Sequence, residues 1–392
     1  MSTSVKEIEK TEVRKEKKEL LLDSLEIKGY RCFEHLTIEK LGRVNLIVGK
    51  NNVGKTALLE ALWIYSQNGS INELIKLLKK REQFSVDDEF GENLYQLNQI
   101  FYNVPNLFGS HSPITISSHL SKKLFLQIGV VWGEVKSNKE IEIIVFPTDS
   151  EEKRVDFYKH NSFICTVLDS DFKKIEQGKY EEIRDMYDVA GKDRILNFLV
   201  PNFVNLRSYL IDSRGLERKT TAEFWDRISL TDKEDLVIEA LQIISPKIKR
   251  LTFIENKFYP SRIPVIRLEG MKNSEPLKNL GEGMDRILGI VLTLIRCETG
   301  FFLVDEIESG LHYSVLPDVW KLIFKMAKQL NIQVFATTHS YDCIQAFAEA
   351  AIEDEESDGM LIRLARKNDQ IKAFTFDEKQ LETITKEHIE VR

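Results

Sequence analysis

The chain has 392 residues, of which 42% are apolar and 30% charged, and its net charge is −7. The length suits roughly two to three domains' worth of chain, and the apolar fraction excludes a wholly disordered protein. The acidic balance excludes a surface that is a nucleic-acid footprint throughout, while leaving room for a local basic groove. No apolar run approaches the ~18 residues of a membrane span; the nearest, Ile287–Ile295, is nine residues long and flanked by Arg286 and Arg296. The first 20 residues are charged and contain no apolar core of a secretory signal. A cytoplasmic protein with no membrane partner is expected. Cys32, Cys165, Cys297 and Cys343 are far apart with no CxxC spacing, so reduced thiols are expected rather than a disulfide or zinc framework.

In chain order, residues 1–22 read as a solvated Lys/Glu tail. Leu25–Tyr30 and His35–Ile38 read as strands around a turn at Arg31–Glu34, and the apolar run Val44–Val48 enters a glycine loop. The helix that follows, from Lys55 to about Gln67, carries Ala57, Leu58, Leu59, Ala61, Leu62, Ile64 and Tyr65 around most of its circumference, the pattern of a buried helix. Residues 71–112 look helical and loop-like. The segments LFLQIGVVW, EIEIIVFP, RVDFY and SFICTVL between Leu124 and Leu168 predict an antiparallel meander. Residues 171–248 predict a mostly helical insertion with one extended piece near Phe203–Ile211. After Lys249 come RLTFI and PVIRLE, a strongly apolar stretch to Phe347, an acidic loop Glu353–Asp358, and two closing strands, MLIRLA and IKAFTF. The predicted division is 1–22, an N-terminal lobe 23–170, the insertion 171–248 and a C-terminal lobe 249–392.

Gly49-Lys50-Asn51-Asn52-Val53-Gly54-Lys55-Thr56 fits G-x-x-x-x-G-K-[ST], with a β-like run before it and a helix after it, and the next residue, Ala57, is taken with the loop as nucleotide-binding. Glycines let the backbone turn so that its N–H groups face phosphate oxygens, and the helix N-terminus adds a favourable partial charge. Lys55 is expected at the β- and γ-phosphates of ATP, and Thr56 on Mg²⁺. Phe301-Phe-Leu-Val-Asp305-Glu306 is an apolar strand ending in two carboxylates. Asp305 at its tip suits Mg²⁺, and Glu306 suits polarising the attacking water.

Three further pieces follow the same logic. Leu280-Gly281-Glu282-Gly283-Met284 is a glycine turn opening an apolar helix, a second potential anion site. Ser309-Gly310-Leu311-His312 follows the acidic pair, and Thr337-Thr338-His339-Ser340 ends the apolar run Ile332–Ala336. A histidine at a strand tip can bond a γ-phosphate or a water. In this order and spacing these residues resemble the ABC-type ATPases of the SMC, RecF and OLD group, with LEIKGYRCFEHLTI…VNLIVGKNNVGKTALLEAL similar to the SMC/RecF opening. The resemblance implies an α/β ABC-type P-loop ATPase head with a flanking antiparallel β meander and a helical insertion. It places LGEGM where the signature motif meets ATP from the opposite subunit, SGLH as the D-loop, and His339 as the switch histidine. It also carries Arg31 over to a nucleotide-proximal role.

The sequence departs from the group in places. Gly281 replaces the signature serine, removing one hydroxyl donor. Gln83, Gln96, Gln99 and Gln127 all compete for the Q-loop position. The interval between the phosphate loop and the signature lacks sustained heptads for a long coiled coil. Only 53 residues follow His339, too few for the TOPRIM nuclease domain of OLD proteins. The run ending Asp169-Ser-Asp171 reads as a helix cap rather than a nuclease site, and Glu134, the only upstream acidic candidate near a glycine, falls in a hairpin turn. No intrinsic nuclease is expected. Two groups interleave basic and aromatic residues: Lys247, Lys249, Arg250, Phe253, Lys257, Phe258, Tyr259, Arg262 and Arg267, and Arg207, Tyr209, Arg214, Arg218 and Lys219. Either group can line a nucleic-acid groove or form an ordinary solvated face.

The reading is an ATPase whose Mg-ATP cycle is coupled to association of heads in a homodimer or higher even-numbered homo-oligomer. By resemblance it is the ATPase component of an anti-phage defence module acting on a separately encoded nuclease or toxin. The alternative is a RecF-like repair or chromosome-maintenance ATPase that clamps DNA.

Overall fold

A computed structural model describes residues 20–67, 69, 71–81, 98–103, 114–118, 125–135, 141–143, 162–168, 185–188, 194–197, 206–255, 262–353 and 358–386. The strands of the first half are β1 (Leu25–Tyr30), β2 (Phe33–Ile38), β3 (Val44–Val48), β4 (Ile114–Ser117), β5 (Phe125–Val135), β6 (Ile141–Ile143), β7 (Ser162–Leu168), β8 (Asp185–Asp188) and β9 (Arg194–Asn197), with helices α1 (Lys55–Ser66) and α2 (Ile71–Lys80). The second half has β10 (Tyr209–Ile211), α3 (Arg218–Asp226), α4 (Lys233–Gln242), β11 (Ile248–Ile254), β12 (Ile263–Leu268), β13 (Glu275–Pro276) and α5 (Glu282–Arg296). It ends with β14 (Phe301–Val304), α6 (Leu316–Gln329), β15 (Gln333–Thr337), α7 (Tyr341–Glu353), β16 (Gly359–Lys367), β17 (Gln370–Phe376) and α8 (Glu378–Lys386).

The core is a sheet in the order β10-β14-β15-β3-β16-β17. Its first five strands run parallel, and β17 returns antiparallel to β16. Strands β3, β14 and β15 are buried at every residue, the near-continuous apolar reading of a parallel sheet covered on both faces. Alternate residues sort into two cores. Leu46, Phe302, Val304, Val334 and Ala336 face α5, α6 and α7, where Trp320 meets Phe347 edge-on at 5.0 Å. Ile47, Phe301, Leu303, Phe335 and Ile362 face α1 and the second sheet.

That second sheet is antiparallel, in the order β2-β1-β4-β5-β6 with β7 also on β5. Of the predicted meander, β5, β6 and β7 are antiparallel as expected, but β6 and β7 both pair with β5 instead of following one another, and β4 joins β5 to the β1–β2 hairpin. The turn between β1 and β2 is tighter than expected, because β2 starts at Phe33 and Arg31 adopts a left-handed backbone with φ 48°. Glu134 lies inside β5 opposite Glu142, not in a hairpin turn. RVDFY and Asp169–Asp171 lie outside the described residues.

The stretch expected to be a helical insertion is divided differently. Strands β8 and β9 form a hairpin within it. Its extended piece is β10, paired in parallel with β14 as the edge of the core sheet, so the chain must return to the core before residue 209. Helices α3 and α4 then pack on the core cluster through Phe224, Trp225, Val237 and Leu241. No helix among the described residues is long and apolar enough to cross a membrane.

Two buried amides tie the start of the core sheet together. Gln333 Nε2 donates to the carbonyls of Leu22 at 2.7 Å and Gly42 at 2.9 Å, and its Oε1 accepts from Leu22 N–H at 3.0 Å. Asn45 Nδ2 donates to the carbonyls of Gly42 and Val334, and its Oδ1 accepts from Gly42 N–H. Gln333 is 1% exposed, so Gln333→Leu leaves the Leu22 amide without partners in a dry site. The expected loss is about 2–4 kcal/mol, read as a lower urea midpoint; a midpoint within error of wild type would contradict this role for Gln333.

Candidate functional site

Three adjacent parallel strands end at one edge, the place where open α/β sheets hold ligands. Strand β3 delivers Gly49–Thr56, β14 delivers Asp305 and Glu306, and β15 delivers Thr337–Ser340. Gly49 (φ 145°) and Gly54 (φ 91°) hold backbone conformations that side chains rarely adopt. A Cβ at Gly49 would come within 2.4 Å of the Leu364 carbonyl oxygen, and one at Gly54 within 2.6 Å of Cys32 Sγ. The loop is thus fitted between β16 and the β1–β2 turn, and only glycine fits. Lys50, Asn51, Asn52 and Thr56 are exposed, whereas Val53 and Ala57 are buried beneath them. Lys55 Nζ donates to the carbonyls of Gly49 at 2.8 Å and Lys50 at 3.0 Å. Burial pushes the Lys55 ammonium below its ordinary pKa, and Asp305, Glu306 and Glu308 partly offset that.

A chain of hydrogen bonds crosses the site. Thr56 Oγ1 donates to Asp305 Oδ2 at 2.9 Å. Thr337 Oγ1 donates to Asp305 Oδ1 at 2.5 Å and accepts from Glu306 N–H at 2.9 Å. Ser309 Oγ donates to Glu306 Oε2 at 3.2 Å. Glu306 itself is left-handed, with φ 47°. That conformation costs about 1–3 kcal/mol for a residue with a side chain and persists where the surroundings enforce it. His339 is exposed, and its N–H donates to Glu308 Oε1 at 3.0 Å.

The hydroxyl–carboxylate pair Thr56–Asp305 is a hard oxygen donor set suited to a Mg²⁺ that keeps its remaining positions for phosphate and water. No group of three or more His, Cys, Asp or Glu able to hold a metal occurs among the described residues.

The LGEGM turn behaves as a helix start. Gly281 (φ 107°) caps α5, Glu282 is its first residue, and both are exposed. Nothing lies within 4 Å of a Cβ placed on Gly281, so this helix end faces open space, with Leu280 half-buried against the core. Gly283 instead packs on its own chain, where an added Cβ would lie 3.1 Å from the Gly310 carbonyl oxygen of SGLH. His312 is exposed and packs against Tyr313 with its ring tilted by 38°. Arg31 Nε lies 3.0 Å from buried Glu60 Oε2, in a cluster with buried Tyr30 and the more exposed Arg81, so this part of its side chain is committed to α1 just beyond the phosphate loop. Gln83 and Gln96 lie outside the described residues, Gln99 is exposed on a short turn, and Gln127 is on β5.

Sequence reasoning missed Thr337, Glu308, Asp212 and Arg286. Thr337 sat inside the quoted TTHS but was given no role. Glu308 Oε2 is buried and meets no hydrogen-bond partner. Arg286, 7% exposed, donates through Nη1 to the Asp212 carbonyl at 2.9 Å and through Nη2 to the carbonyls of Asp305 at 3.1 Å and Glu306 at 2.8 Å. A charged residue on the buried side of an apolar helix was the available signal. The Asp212 carboxylate pairs with Lys80 and Arg214; burial pushes its pKa up, but these cations bring it below its ordinary value.

The basic groups separate. Arg250 and Arg267 are exposed and directly opposed on β11 and β12, with no ion-pair partner among the described residues, while Lys249 pairs with Glu269. In the second group Arg214 is taken by Asp212, and Tyr209 packs edge-on against Phe224. Lys257, Phe258 and Tyr259 lie outside the described residues. Cys32, Cys297 and Cys343 are free thiols.

Several known proteins are similar to this chain. An ATP/GTP phosphatase of Helicobacter pylori is 22% identical over 367 residues, covering 89% of this chain and 94% of that one. The DNA replication and repair protein RecF of Bacillus mycoides is 27% identical over 104 residues, 26% of this chain and 24% of RecF. The SMC head domain from Thermotoga maritima aligns over 91% of this chain and 99% of its own, with 13% identity and a TM-score of 0.43. The AAA ATPase domain family matches residues 21–344, most of the chain, with the phosphate loop, the Asp305–Glu306 strand end and His339 all inside the match. The chain belongs to the AAA ATPase domain family and is an ATPase.

Proposed function

We propose that the chain binds Mg-ATP at the β3–α1 loop, hydrolyses it with Glu306 orienting the attacking water, and uses the cycle to open and close paired heads. The observation that carries this reading is the bond chain Thr56–Asp305–Thr337–Glu306, which joins the phosphate loop to the carboxylate proposed as base. Bound Mg²⁺ supplies charge neutralisation between phosphate oxygens. Thr56 and Asp305 would hold it. Lys55 exchanges its loop carbonyls for β- and γ-phosphate oxygens, and backbone N–H groups of the Lys50–Thr56 loop cradle them. Asp305, Glu306 and Glu308 surround Lys55, so a triphosphate entering alone meets repulsion that a divalent cation removes. Glu306 takes the proton of the attacking water, and His339, at the neighbouring strand tip, is placed to contact the γ-phosphate or that water.

The exposed, uncovered start of α5 supports the second half of the reading. It offers backbone N–H groups and a helix dipole to a nucleotide held by a second copy, so ATP shared across the interface favours closure, and hydrolysis releases it. By its resemblance to stand-alone heads of the group, the closed state regulates a separately encoded nuclease or toxin of an anti-phage module. The opposed, exposed Arg250–Arg267 pair favours a second reading, a RecF-like clamp on duplex DNA. ATP-dependent retention of duplex DNA that is lost in Arg250→Glu selects the second reading.

Lys55→Ala is expected to abolish measurable ATPase activity; activity within about twofold of wild type removes the phosphate-loop assignment. Glu306→Gln keeps ATP binding and slows turnover about 100-fold or more, as for loss of a general base, whereas Asp305→Asn weakens Mg²⁺-dependent binding. Normal turnover by Glu306→Gln would move the water-orienting role elsewhere.

The shared site is tested by complementation. Gly283 is a poor probe, because a side chain there disturbs Gly310 of its own chain. Glu282→Trp places bulk on the exposed helix start instead. This variant binds ATP but does not turn it over. Mixed with Lys55→Ala, each hybrid dimer has one composite site with both defects and one with neither, so activity returns. Confirmed hybrids with no activity, together with a merely proportional loss when either variant is titrated into wild type, would refute a site completed in trans.

A further inference from the structure

Arg286 occupies a place that packing alone does not explain. It is a cation on the buried side of α5, and its Nε meets no partner. Its two terminal nitrogens are spent on three main-chain oxygens from two separate strand ends: Asp212 after β10, and Asp305 and Glu306 after β14. The fork is flanked by glycines. Cβ atoms at Gly215 and Gly310 would lie 3.7 Å from Nη1 and 4.0 Å from the Arg286 Cβ.

The left-handed residue after β14 is the one this fork grips. Glu306 has its N–H held by Thr337 Oγ1 and its carbonyl held by Arg286 Nη2, and its backbone is left-handed between them. Its side-chain direction is set by that backbone. We infer that Arg286 is a positioning residue for hydrolysis: it holds the Glu306 main chain in its left-handed conformation and so aims the Glu306 carboxylate at the attacking water. This rests on the reading of Glu306 as the water-orienting group.

The chemistry requires a guanidinium. A planar fork with several fixed N–H donors spans carbonyls on two strand ends, whereas the single ammonium of lysine cannot hold both directions at once. The acidic groups facing Arg286 are Asp212, Asp305, Glu306 and Glu308, so a lysine would keep the charge balance while losing the geometry.

The test measures steady-state ATPase kinetics, binding of a fluorescent ATP analogue and thermal midpoints for Arg286→Lys, Glu306→Gln and the double variant. Arg286→Lys is expected to lower kcat about 30-fold or more while KM and analogue affinity stay within about threefold of wild type. Because the effect passes through Glu306, the double variant is expected within about twofold of Glu306→Gln alone. Losses that multiply in the double variant, or a kcat for Arg286→Lys within about twofold of wild type, overturn the inference while leaving the role of Glu306 standing. Wild-type turnover by Glu306→Gln is the separate failure of the underlying reading. Should Arg286→Lys not fold, Arg286→Gln, which keeps a planar donor, is measured the same way; if neither folds, Arg286 is a structural residue and the positioning role falls.

Discussion

The hydrogen bond from Thr56 Oγ1 to Asp305 Oδ2, 2.9 Å long, joins residues 249 positions apart, and the rest of the site depends on the strand order that permits it. Strands β3 and β14 are not neighbours; β15 lies between them, with Ala336 opposite Leu46 on one side and Val304 on the other. A strand advances about 3.3 Å per residue and alternates its faces, so a slip of one residue would carry Asp305 past Thr56 and turn it to the wrong side. Register is protected by complete burial of the three strands and by the apolar residues that sort cleanly to two different cores. Packing of the sheet therefore sets the chemistry of its edge.

Thr337 shows how the interposed strand takes part. Its hydroxyl bonds the Asp305 carboxylate and the Glu306 amide together, so the carboxylate proposed for Mg²⁺ and the carboxylate proposed for water are fixed relative to one another. A hydroxyl does this without adding charge. A carboxylate there would add to the repulsion around Asp305, Glu306 and Glu308, and a cation would compete with Lys55.

Much of this was legible in the sequence where chemistry and chain position coincide. The phosphate loop is contiguous, needs glycines at two fixed places and is followed by a helix, and the structure shows what those glycines avoid: the Leu364 carbonyl at one and Cys32 at the other. Asp305 and Glu306 were readable because an apolar run stops at them. Arg286 and Thr337 were not, because their partners are main-chain atoms on other strands and a hydroxyl in a strand has many ordinary uses. Strand β10 was readable as an extended piece, but its place in the core sheet was not, for another reason. It has three residues and lies in a charged neighbourhood, and its membership of the core sheet is fixed by pairing with β14 rather than by its own pattern. The helical character of α3 and α4 was read correctly, but periodicity says nothing about which body a helix packs on.

Helix α5 joins the proposed interface to the proposed hydrolytic centre. Its first turn is the exposed start proposed to meet a nucleotide from a second copy, and Arg286 stands four residues after Glu282, about one turn further along. Over that distance a helix is close to a rigid rod. It is buried from Met284 to Ile295, apart from Asp285, which leaves little room for it to bend locally and absorb a displacement. In the proposed pair, pressure on the first turn would reach the guanidinium, which bonds the carbonyls of Asp305 and Glu306. In a pair of heads, the turn that senses one nucleotide would belong to the same rigid element that holds the catalytic backbone over the other. Under that reading, occupancy of one composite site would bear on the geometry of its twin without any rearrangement of the sheet. Reciprocal coupling of this kind is what an ATPase needs if closure and hydrolysis are to occur in order, and in the proposed pair it would require only a helix and one buried arginine.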